Sequence, residues 1–155
     1  MVHGPNLNLL GRREPAIYGG TTLPQINEQL HKLAKELNVE LVIIQSNHEG
    51  AIVDAFQQHI DDVAGAVINP GGLSFYSVAL HDVIKAMPFP VVETHISNLG
   101  ARDEIHRHSI ITPAVRASIM GLGWRSYTAG LRALIEIVRD EKSKGVGKQE
   151  SRKDN

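Results

Sequence analysis

The chain has 155 residues, 42% of them hydrophobic and 21% charged, which suits a single domain with a substantial core. A formal net charge of −1 offers nucleic acid no basic field, and no apolar run is long enough to span a bilayer. With no cysteine, disulfides and thiolate chemistry are excluded, and the cytoplasm is the expected compartment.

Met1-Val2-His3 reads as a short opening strand leading into Gly4-Pro5-Asn6. A first strand of ordinary length would begin several residues earlier, and nothing ahead of Gly4 reads as a secretory signal. A loop over 11–20 then brings Arg12 and Arg13 close to Tyr18. A phenol with pKa near 10 is ionised in about one molecule per thousand at pH 7, and a cation a few ångströms away favours the phenolate. Tyr18 with either arginine is therefore a candidate general base; the alternative is a surface loop with solvated arginines.

Thr22 with Gln25 forms a capping box, and Pro24 fits a first helical turn. Ile26, Leu30, Leu33, Ala34 and Leu37 follow as one apolar stripe. Leu41-Val42-Ile43-Ile44 predicts a second strand ending in Ser46-Asn47-His48-Glu49. Ile52, Val53, Phe56 and Ile60 predict a second helix. Ala66-Val67-Ile68 predicts a third strand ending in Asn69-Pro70-Gly71-Gly72, and Val78, Val83 and Ile84 mark a third helix. Pro90-Val91-Val92 opens a strand from which Glu93-Thr94-His95-Ile96-Ser97-Asn98 emerges. Residues 115–120 supply a fifth strand, and Leu131, Leu134, Ile135 and Val138 a long final helix. Residues 142–155 are charged and nearly free of apolar side chains, so a disordered tail is expected after a domain over 1–141.

Continuous β-branched runs mark strands buried on both faces, as in a parallel sheet. Five βα units in this order predict an α/β, flavodoxin-like, doubly wound, five-stranded parallel sheet in one domain. In such sheets ligands lie beyond the carboxyl ends of the strands, where every chemically loaded segment falls here. Glu93 and His95 are two apart on a strand and share a face, so the carboxylate can orient the imidazole as a general acid. A core histidine satisfied by an ion pair would have the same spacing. The Asn69 turn and Ile96-Ser97 could present backbone N–H groups to a carboxylate, or be plain turns.

Six motifs in order resemble type II 3-dehydroquinate dehydratase. They begin at His3-Gly-Pro-Asn-Leu-Asn-Leu-Leu-Gly and Arg13-Glu-Pro-Ala-Ile-Tyr18-Gly, and continue with Gln45-Ser-Asn-His-Glu-Gly and Asn69-Pro-Gly-Gly. Ser77-Val-Ala-Leu-His-Asp82 and Glu93-Thr-His-Ile-Ser-Asn complete the set. The resemblance extends to about Val138. It implies a flavodoxin-like fold, no metal or cofactor, a small carboxylate substrate, and a homo-oligomer, usually a dodecamer built as a tetramer of trimers.

It also implies roles. Tyr18, activated by Arg13, would take a proton from the carbon beside the ketone. Asn6 would hold a water against the resulting enolate, and His95, supported by Glu93, would protonate the departing hydroxyl. Asn69, with the backbone of Ile96 and Ser97, would seat the carboxylate, and Gly72 would also bind the substrate. Asp82 would reach the neighbouring subunit's site.

Two positions depart from the pattern on the wall that binds the ring hydroxyls. The family's histidine is Phe75 and its arginine is His106, with Arg107 adjacent as a substitute and Arg102 matching. His3 also replaces a usual asparagine, and Gly100 a common histidine. The sequence therefore leaves three readings: a dehydratase acting on 3-dehydroquinate, a divergent dehydratase acting on a related hydroxy-keto acid, or a non-catalytic flavodoxin-like binding module. The acidic strand-end cluster of a phosphate-relaying receiver domain is missing.

Overall fold

Thr22 opens the first helix as its residue type requires. Its hydroxyl accepts the Gln25 N–H at 3.4 Å while the Gln25 side chain accepts the Thr22 N–H at 2.9 Å, so two otherwise orphaned donors are satisfied. The structure, a computed structural model, describes residues 1–12 and 19–150, with backbone alone for 145–150. Its helices are α1 (Leu23–Glu36), α2 (Glu49–Gln58), α3 (Val78–Ala86) and α4 (Arg125–Glu150). Its strands are β1 (Val2–His3), β2 (Ile44–Gln45), β3 (Ala66–Asn69), β4 (Val91–His95) and β5 (Ala117–Met120).

The five strands are all parallel and lie in the order β2-β1-β3-β4-β5, the flavodoxin-like arrangement. Alternating side chains of the central strands divide the core. Met1, Val67 and Val92 face α1 and α4 through Ile26, Leu30, Tyr127 and Leu131. Val2, Ile68 and Val91 face α2 and α3 through Ile52, Phe56, Leu80 and Ile84. Each such buried side chain contributes roughly 1.5–3 kcal/mol. Both faces of β3 and β4 are covered, which is why their sequences are continuously apolar.

Three expectations need correction. The run at 41–44 yields a strand only at Ile44–Gln45, and Val42 is 49% exposed, because β2 is an edge strand with a single neighbour. Val78 is also exposed, since it sits in the first turn of α3, ahead of the face carrying Leu80, Val83 and Ile84. The link from β4 to β5 is not a helical βα unit but three short 3-10 turns, at Leu99–Ala101, Glu104–His106 and Thr112–Ala114.

The backbone of α4 is helical to Glu150, within the stretch expected as a tail. Residues 151–155 lie outside the described residues.

Candidate active site

A doubly wound sheet opens a crevice where its strand order reverses, here between β1 and β3. The loops leaving those strands are locked together by glycine. A Cβ on Gly4 would collide with the Pro70 carbonyl, and one on Gly71, whose φ is +57°, would lie 2.9 Å from the Pro5 oxygen. Asn6 follows at φ 65°, a left-handed conformation that asparagine tolerates, and its N–H donates to Asn47 Oδ1 at 3.0 Å. The Gln45 amide holds the same Asn47 oxygen at 3.1 Å. The segment after β2 thus props up the loop after β1.

The cleft above these loops is lined by Asn6, Leu10, Asn69, Gly72, Phe75, His95, Ile96, Ser97, Arg102 and His106, with Pro5, Leu7, Gly71 and Leu99 between them. Asn69 is almost fully buried; its Oδ1 accepts the Gly71 N–H at 3.0 Å and its Nδ2 donates to Tyr127 Oη at 2.8 Å. Ser97 Oγ accepts from Arg102 Nη1 at 3.2 Å.

His95 and Glu93 share a face, as their spacing requires. His95 Nε2 lies 2.8 Å from Glu93 Oε1, and both residues are buried. Ser109 donates to Oε1 at 2.7 Å and Thr112 to Oε2 at 2.5 Å. Burial works to raise the Glu93 carboxyl, but His95 and the two hydroxyls together outweigh it and hold the group below the ordinary carboxylate range. The imidazole therefore meets an ionised, fully solvated-by-protein partner, which fixes its orientation and leaves Nδ1 as the nitrogen to serve a ligand.

Phe75 and His106 form the outer wall, edge to face at 5.2 Å between ring centroids. His106 Nδ1 is 2.5 Å from Asp103 Oδ1 on the surface turn that Asp103 caps. Arg107 does not join the cleft: it pairs with Glu104 at 3.5 Å and with the Arg102 carbonyl at 3.4 Å. Asp82 is also away from it, exposed on α3 and 3.0 Å from His81 Nδ1. Tyr18 and Arg13 lie outside the described residues. Of the residues flanking them, Leu10 lines the cleft, and Gly19 and Thr21 border a hollow shared with Ser97 and Arg102.

Sequence reasoning missed Ser109, Thr112 and Tyr127. A carboxylate two residues before a strand-end histidine signals a need for donors, but nothing local says which hydroxyls supply them. Among the described residues no group of three or more His, Cys, Asp or Glu side chains is placed to hold a metal ion, and no helix is long and apolar enough to cross a membrane.

The chain is similar in sequence and in fold to known proteins. The sequence model for dehydroquinase class II matches residues 1–135. A 3-dehydroquinate dehydratase from Halothermothrix orenii is 45% identical over 139 residues, covering 90% of this chain and 94% of its own. One from Caldicellulosiruptor saccharolyticus is 47% identical over 139 residues, covering 89% and 96%. The crystal structure of a type II dehydroquinase from Butyrivibrio crossotus superposes with a TM-score of 0.84 at 36% identity, covering 86% of this chain and 93% of that one.

Proposed function

The chain belongs to the dehydroquinase class II family, and from that membership and the cleft we propose that Tyr18 is the base and His95 the acid of a stepwise elimination of water. The reaction is the dehydration of 3-dehydroquinate, a cyclic ketone with a carboxylate and a β-hydroxyl. The proton beside the ketone is acidic because the electron pair left behind spreads onto the carbonyl oxygen. Tyr18, its phenolate favoured by Arg13, takes that proton and leaves an enolate. The enolate then re-forms the carbonyl and expels the β-hydroxyl, to which His95 delivers a proton. Water departs and a carbon–carbon double bond conjugated with the ketone remains. Tyr18 ends protonated and His95 neutral, and proton exchange with solvent resets both.

The observation that carries this reading is the Glu93-bound imidazole of His95 facing a cleft rimmed by Asn6, Asn69 and Ser97. In the same reading Asn6 holds a water against the enolate oxygen, while Asn69 and the backbone of Ile96 and Ser97 seat the carboxylate, and Gly72 also binds the substrate. Phe75 and His106 face the ring hydroxyls, with Arg107 displaced from them. Asp82 reaches a neighbouring subunit in a dodecamer, and the cysteine-free composition supports a cytoplasmic enzyme.

Incubation with 3-dehydroquinate, followed by the ultraviolet absorbance of the conjugated enone, tests it. Wild type turns over; Tyr18→Phe and His95→Ala each lose activity by about 10²–10⁴-fold. Near-normal turnover in either variant would remove that residue from the mechanism.

A further inference from the structure

The amide of Asn69 is pinned from two sides. The Gly71 N–H can only meet an oxygen, so its 3.0 Å contact fixes which end of the amide is Oδ1. Nδ2 then gives one of its two hydrogens to Tyr127 Oη at 2.8 Å, and the other remains for a ligand in the cleft that Asn69 lines. Tyr127 itself is no part of that cleft. It is completely buried in α4, beneath the sheet face that carries Val67 and Val92. Burial pushes its phenol well above the ordinary value, against the pull of the Asn69 hydrogen bond, so the group stays protonated.

The ring of Tyr127 has a support of its own. His3, also completely buried, lies 5.4 Å away between centroids at 56°. His3 Nε2 is 2.8 Å from Asn27 Oδ1, an acceptor, so that nitrogen carries the hydrogen. Its Nδ1 is buried with no hydrogen-bond partner among the described residues. The ring contact with Tyr127 and the single hydrogen bond to Asn27 are the contacts that hold His3 among the described residues.

We propose that Tyr127 is a positioning residue which sets the direction of the Asn69 amide donor toward the substrate carboxylate, with His3 as the prop for its ring. The proposal rests on the reading that Asn69 seats that carboxylate. Tyr127→Phe keeps the ring and its packing and deletes only the acceptor. KM for 3-dehydroquinate should rise about tenfold while kcat stays within about twofold, the size of one lost hydrogen bond made alike to substrate and transition state. A purely structural role would lower the unfolding temperature and leave KM in place.

The double variant with Asn69→Ala separates the possible failures. If Tyr127 acts through Asn69, the pair raises KM no further than Asn69→Ala alone. Unchanged KM in Tyr127→Phe, or effects that multiply, would overturn the positioning role while leaving the carboxylate reading intact. Unchanged KM in Asn69→Ala would sink the carboxylate reading, and the positioning role with it. A check on wild type needs no variant: the Nδ2 hydrogen of Asn69 that meets Tyr127 Oη should exchange slowly with solvent in nitrogen-edited NMR. Rapid exchange of that hydrogen would count against the proposal.

Discussion

Two histidines, His95 and His106, line the same cleft, each paired with a carboxylate, and the two pairs differ in almost everything else. His95 with Glu93 lies at the end of a central strand, with side chains 6% and 0% exposed, and two hydroxyls complete the carboxylate's shell. His106 with Asp103 sits on a surface turn, with side chains 37% and 63% exposed. The shorter contact is the outer one, at 2.5 Å against 2.8 Å. Distance is thus a poor guide to strength. Water and salt screen the outer pair, whereas the inner pair interacts in a dry environment and cannot be separated without stranding a charge. A third histidine extends the series: His3 is as buried as Glu93, but among the described residues its hydrogen-bond partner is a neutral amide, that of Asn27.

The largest expected difference is catalytic. His95→Ala should cut kcat by about 10²–10⁴-fold, whereas His106→Ala should change kcat/KM by about tenfold or less. Steady-state kinetics on both variants checks this; comparable losses would erase the distinction between the pairs.

His3 sharpens the comparison through pH. Burial lowers it from an ordinary 6.5 to about 4, so the folded protein leaves it neutral in a range where the unfolded chain binds a proton. The unfolded state holds the extra proton between those values, and stability therefore falls as pH drops from about 6.5 to about 4. The loss amounts to roughly 3 kcal/mol, and His3→Asn should flatten that part of a denaturant-melt profile.

Glu93 has the opposite sense. Its carboxyl sits below the ordinary 4.5, so its contribution is complete above that value and disappears as pH falls through the lower folded-state value. Glu93→Gln should cost about 1–3 kcal/mol at neutral pH and weaken the acid dependence below pH 4.5. Asp103→Asn should leave the urea midpoint unchanged, because that carboxylate is already solvated.

A further test concerns the outer wall. Phe75 offers the substrate no hydrogen bond, and Arg107 is turned to Glu104. If this wall serves a substrate with one hydroxyl fewer, Phe75→His with His106→Arg should raise kcat/KM on 3-dehydroquinate by about tenfold. A neutral or harmful double change would mean that Phe75 and His106 suit the ordinary substrate.

Local signals in the sequence carried the fold a long way. The capping box at Thr22, the stripes of α1 and α4, and the buried runs of β3 and β4 all follow from spacing, since each depends on residues a few positions apart. Strand order does not. Nothing in Leu41-Val42-Ile43-Ile44 reveals that its strand lies at the edge, because that depends on β1 entering between β2 and β3. The site divides in the same way. Glu93 and His95 were legible as a pair two apart, but Ser109 and Thr112 approach Glu93 across 16 and 19 residues, and Tyr127 approaches Asn69 across 58. Asn6 was legible, whereas its support from Asn47 arrives from the segment after β2, 41 residues on.

The place of β1 in the sheet also governs when the cleft can exist. β1, made before the other four strands of the sheet, ends up in its interior, between partners that begin at Ile44 and Ala66. A nascent chain can therefore set neither the Gly4–Gly71 junction nor Asn6 against its cleft neighbours until β3 has been made, and His95 follows later still. Such non-local pairing is slow, and it exposes unpaired strand edges while it waits. Regain of turnover during refolding should accordingly lag the return of helical signal, which makes the chemistry itself a clock for the insertion of β1.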